Sequence, residues 1–152
     1  MDRLRDRDHA QLVAAVVALL RACEWEVAVE YTFSHYGERG SIDIVGWHQA
    51  SSTLLVIEVK TRIYDVQALL AGLDRKTRLA SLLLGEERGW VAGVVARVVV
   101  VPELAAVRRL VGDHAAIFDA ALPARSRAVR SWLRAPTGEL AGLWFLSSAN
   151  HI

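Results

Sequence analysis

The sequence predicts an α/β fold, a mixed sheet flanked by helices, built in the order α-β-β-β-α-β with short additions at the end. Three observations lead to it. An apolar stripe at helical spacing is followed by three extended segments parted by turn residues. A second, longer stripe then leads into an unbroken β-branched run, which is the pattern of a crossover between parallel strands. No repeat, low-complexity tract or Pro/Gly-rich linker divides the 152 residues, so one domain spanning 1–152 is expected.

The first helix is expected over about Asp8 to Cys23, where Leu12, Val16, Leu19, Leu20 and Cys23 recur on one side. Strict alternation follows from Glu26 to Phe33. It places Val27, Val29, Tyr31 and Phe33 on one face of a strand and Glu26, Ala28, Glu30 and Thr32 on the other. Gly37-Glu38-Arg39-Gly40 reads as a turn, and Ser41 to Trp47 as a second strand. Gln49-Ala50-Ser51-Ser52 is polar and small enough for a hairpin connection into a third strand, Leu54 to Thr61.

Asp65 reads as the N-cap of a second helix reaching Leu84, with Val66, Leu69, Leu73, Ala80 and Leu84 as its buried stripe. Val94 to Val101 reads as a strand covered on both faces, ended by Pro102. Two short helices near Glu103 to Val111 and Arg125 to Arg134 precede a last strand, Leu140 to Leu146.

Within this frame two acids stand out. Asp43 lies between Ile42 and Ile44, and Glu58 between Ile57 and Val59, in surroundings where a lone ionised carboxylate is costly. If the hairpin turns at Ala50-Ser51, the register sets Asp43 directly opposite Glu58. Like charges so placed repel and favour a cation between them. Lys60, two residues beyond Glu58, projects from the same face of its strand. Hard oxygen ligands beside an ammonium suit Mg²⁺ or Mn²⁺ in phosphate chemistry, where a lysine orients or deprotonates an attacking water. The plainer alternative is a buried Glu58–Lys60 ion pair with Asp43 held by backbone donors, although the ion pair alone does not explain Asp43.

Asp43 followed by Glu58-Val59-Lys60 resembles the PD-(D/E)XK signature of restriction endonucleases, resolvases and related nucleases. The likeness covers roughly the first two thirds of the chain. It includes the α-β-β-β-α-β order, hence a restriction-endonuclease-like core, and Gln67 at the start of the following helix, where many members carry a glutamine. The resemblance implies that Asp43 and Glu58 hold the metal, that the carbonyl of Val59 adds a ligand, that Lys60 serves the nucleophilic water and that Gln67 positions that water or the substrate. It implies a metal-dependent nuclease, a hydrolase of DNA phosphodiester bonds. In two respects the chain departs from the pattern. Ile42 stands where proline is usual, and the first helix lacks an acid at the family's place, which leaves Glu30 or Glu38 to serve as a third acid. A module that keeps the fold and binds nucleic acid without cleaving it, joined to a DNA-reading domain, is the alternative; a protein-interaction domain is the third reading.

Composition is consistent with this but does not demand it. The formal charge is +1, yet only Lys60 and Lys76 among the 18 basic residues are lysines. Arg62, after the third strand, and Arg78, on the second helix, are candidate phosphate contacts, whereas Arg127, Arg130 and Arg134 read as a solvated helix face. Trp47, Trp90, Trp132 and Trp144 sit among apolar neighbours and read as core. A lone Cys23 and the absence of a signal-peptide charge pattern point to a reducing cytoplasm. The run Trp90 to Val101 is too short for a bilayer and is interrupted by Arg97, so no membrane partner is expected. Symmetric action on a duplex would require a homodimer.

Overall fold

The computed structural model describes residues 3–147; the ends of the expected domain, 1–2 and 148–152, lie outside the described residues. Five strands form one sheet in the order β1-β2-β3-β4-β5. They are β1 (Glu26–His35), β2 (Glu38–His48), β3 (Thr53–Val59), β4 (Val94–Pro102) and β5 (Ala141–Leu146). The first three make an antiparallel meander, and β4 and β5 are added in parallel, so the sheet is mixed. Helix α1 (Arg3–Ala22) precedes the meander and α2 (Val66–Arg88) is the crossover to β4.

Three short helices, α3 (Ala105–Asp113), α4 (Ala115–Ala121) and α5 (Ser126–Arg134), link β4 to β5. Of these, α4 is the one the sequence did not announce. It is a seven-residue segment that buries one side chain, Phe118, too little to produce a periodic stripe.

Two apolar layers enclose the sheet. On one face Leu12, Val16 and Leu20 of α1 and Val129, Trp132 and Leu133 of α5 pack on Ile44, Ile57 and Trp144. On the other, Leu73, Ala80 and Leu84 of α2, together with α3 and α4, pack on Ile42, Val45, Val56 and Phe145. The five tryptophans are all buried, so none is displayed for stacking. The N-cap of α2 is Asp65, whose Oδ1 accepts the Ala68 amide at 3.0 Å. Among the described residues no helix is long and apolar enough to cross a membrane.

The first hairpin departs from its simple pattern in two places. Its turn is not Gly37 to Gly40 but only Tyr36-Gly37, both with positive φ (47° and 84°), and His35 pairs directly with Glu38. Two positive φ values match the right-handed twist of the strands. Gly40 lies within β2 because the Phe33 ring covers it; a Cβ there would sit 3.0 Å from the ring.

The second departure overturns the expected faces of β1. Val27 packs toward α1, whereas Tyr31 and Phe33 pack toward α2 together with Ala28. The alternation reverses at Glu30, which has φ 51°. It reverses in β2 as well, where Ile42 and Val45 face α2 while Ile44 faces α1. Val29 pairs with Ile44 and Tyr31 with Ile42, so the two strands turn over together, and Glu30 and Asp43 are the step at which the paired register is interrupted.

Candidate functional site

Pairing between β2 and β3 runs from His48↔Thr53 to Ile44↔Ile57, the register expected from a turn at Ala50-Ser51. The next step would be Asp43 opposite Glu58, and there the backbone ladder gives way to side chains. The Asp43 amide donates to Glu58 Oε2 at 3.1 Å, and the Val59 amide donates to Asp43 Oδ2 at 2.8 Å. Each carboxylate thus accepts an N–H associated with the other's strand, which satisfies backbone donors left over where the strands part. Glu58 is 3% exposed and is, with Thr53, one of the buried polar residues of the core.

The remaining oxygens find partners from the two helical layers. Lys76 of α2 forms an ion pair with Glu58 Oε1, and His9 of α1 lies 3.4 Å from Asp43 Oδ1 through its Nε2. Neither residue was singled out in the sequence, yet each carries a signal in retrospect. Lys76 falls inside the apolar stripe of α2, between Leu73 and Ala80, and His9 extends the stripe of Leu12 and Val16 by one turn. A polar side chain in a buried stripe calls for a partner across the interface.

Lys60 comes next along the chain. Its amide still donates to Val100 O at 2.9 Å, although β3 ends at Val59 and so stops two residues short of the expected Thr61. Its side chain is half-buried and lines, with Asp43, Glu58, His9, Arg62 and Lys76, a cleft of about 240 Å³ open to solvent. Asp43, Glu58, Lys60 and Arg62 are therefore brought together.

The other candidates separate. Gln67 is exposed on the first turn of α2 and is not among the residues lining this cleft. Arg78 Nη2 is 3.1 Å from Glu38 Oε1, so these two side chains pair with each other at the outer end of the hairpin. Glu30 shares with Asp43, His9 and Asp6 a groove of about 530 Å³ between α1 and β1. Of the two proposed third acids, Glu30 is the one beside Asp43.

Donor chemistry suits a hard divalent cation in part. Mg²⁺ is commonly held by one or two carboxylates, with water and substrate phosphate completing the shell, and two carboxylates meet here. Among the described residues, however, no group of three or more His, Cys, Asp or Glu side chains is arranged to hold a metal ion, and the charge beside Glu58 is supplied by Lys76.

Compared with known proteins, the chain matches no family model and no curated protein.

Proposed function

We propose that this chain is a metal-dependent nuclease with a restriction-endonuclease-like core of the PD-(D/E)XK type, hydrolysing phosphodiester bonds of DNA. The observation that carries the reading is the fork between β2 and β3, where the Asp43 and Glu58 carboxylates exchange backbone hydrogen bonds beside Lys60 in a solvent-open cleft. A purely structural pair would not need to line a cleft shared with three further basic side chains, Lys60, Arg62 and Lys76.

In this reading Asp43, Glu58 and the Val59 carbonyl hold Mg²⁺ or Mn²⁺, and Glu30 is the acid available at the crease. The cation, when bound, stabilises negative charge developing on the phosphate. Lys60 orients the attacking water beside the phosphate. Arg62 holds the phosphate of the adjacent nucleotide. Lys76 holds the Glu58 carboxylate in place before substrate arrives.

The test is cleavage of labelled DNA with Mg²⁺, Mn²⁺ or EDTA. Cleavage that needs the metal and is lost in Lys60→Ala and Asp43→Asn, both still folded by circular dichroism, supports the proposal. Equal cleavage by the variants would sink it. Asparagine at 43 keeps an oxygen for the Val59 amide, so the fork is preserved while the charge is removed.

The Lys76–Glu58 pair also favours a second reading, a nucleic-acid-binding module of the same fold whose acid is neutralised from within the chain. Binding of DNA without cleavage under either metal would select it.

A further inference from the structure

The chain leaves the sheet at Lys60 and reaches α2 through residues 61–65, and this connection separates two concavities. On one side is the acidic cleft, to whose lining Arg62 and Tyr64 contribute. On the other is a hollow of about 370 Å³ lined by Ile63, Leu104, Val107 and Leu110, with Arg62 and Tyr64 again in its wall. Tyr64 is 77% exposed and Leu104, across the hollow, 55%. A single exposed apolar side chain is ordinary, but two flanking one apolar hollow that shares its wall with a charged cleft are a local pattern.

Resting on the nuclease reading, we infer that Tyr64 is the stacking platform for an unpaired nucleobase of the substrate strand. A nucleic-acid strand alternates flat, apolar base faces with anionic phosphates. The connection offers complementary surfaces side by side: the acid cleft with the cations Lys60 and Arg62 in its lining, and Tyr64 in the wall of an apolar recess. Bases inside a duplex have both faces covered by their neighbours, so a platform of this kind accepts only a base that is single-stranded, frayed or extruded. The substrate class is therefore single-stranded DNA or a DNA end, in preference to an uninterrupted duplex.

Fluorescence anisotropy on the whole protein in EDTA, where cleavage is suppressed, tests this with a labelled oligothymidine and a blunt duplex of equal length. Wild type should bind the single strand more tightly than the duplex. Tyr64→Ala should weaken single-strand binding by about fivefold or more, with Tyr64→Phe close to wild type and duplex affinity unmoved, since base–aromatic stacking is worth at least about 1 kcal/mol. The exposure of Tyr64 makes both variants compatible with folding, which circular dichroism checks. If Tyr64→Ala binds the single strand as wild type does, while Arg62→Ala weakens it, the stacking role is overturned and the nuclease reading stands. A preference for duplex overturns the substrate class. Failure of wild type to bind either DNA overturns the inference together with the reading beneath it.

Discussion

Replacing Lys76 by methionine isolates what the buried cation does for the acid pair. The Glu58 carboxylate is 5% exposed in its side chain and the Lys76 side chain 18%, so the pair is shielded from water on both sides. Removing one partner of a buried ion pair leaves an uncompensated charge and costs about 3–5 kcal/mol. The lower end applies here, because Glu58 keeps its hydrogen bond from the Asp43 amide and methionine still fills the stripe between Leu73 and Ala80. A loss of about 3 kcal/mol in a chain of this size lowers the melting temperature by about 6–12 °C. The assay is thermal unfolding followed by circular dichroism, first in EDTA and then with Mn²⁺. In EDTA the variant should melt well below wild type. With Mn²⁺ it should recover more than wild type gains, since a ligand at a hundred times its dissociation constant adds about 2.7 kcal/mol and here no longer meets the Lys76 ammonium. Equal melting temperatures in EDTA would refute the claim that Lys76 holds the Glu58 charge. Equal metal-induced shifts in the two proteins would refute competition between Lys76 and the metal, and no shift in either would refute the claim that the carboxylates form a cation site.

Two further predictions concern the frame around the site. A Cβ added at Gly142 of β5 would lie 2.6 Å from Val129 Cγ2, so Gly142→Ala should push α5 off the sheet and cost about 1–3 kcal/mol, read from the urea midpoint. Burial, reinforced by donation to Glu87 Oε2 at 2.7 Å, raises the Tyr31 hydroxyl above its ordinary pKa. The unfolded tyrosine ionises near pH ~10 while the folded one stays protonated, so this contribution to stability is complete below pH ~10 and is lost as pH climbs further. Urea midpoints should therefore fall more steeply above pH ~10 for wild type than for Tyr31→Phe; parallel profiles would remove the Glu87 hydrogen bond from the account.

The part of the site legible in the sequence was the part set by period and register. Asp43 meets Glu58 because a short polar connection between two apolar strands leaves little freedom in their pairing. Lys60 follows from the two-residue period along β3. The helical contributions were hidden, because Lys76 and His9 reach the acids across layers, and which face of a helix meets which strand is decided by packing. Glu30 was placed on the wrong terms: simple alternation set Tyr31 and Phe33 on the face of Val27, whereas one residue with positive φ turns the strand over. That reversal depends on β1 and β2 changing together, so neither strand reveals it alone. The Tyr36-Gly37 turn was blurred for a similar reason, since the usual Asn-Gly or Asp-Gly signal is missing and Gly40 serves the Phe33 ring instead.

The crease at Glu30 and Asp43 gives the first hairpin two allegiances. Its inner half meets both layers, Val27 toward α1 and Ala28 and Val45 toward α2, while its outer half is tied to α2 alone through Tyr31–Glu87 and Glu38–Arg78. Asp43 sits where the allegiance changes, touched by His9 from one layer and linked through Glu58 to Lys76 in the other. The spacing of the two acids is thus a gauge of how the helical layers lie relative to each other. Core substitutions beneath α1 or α2, remote from the cleft and conservative in volume, should be felt there first.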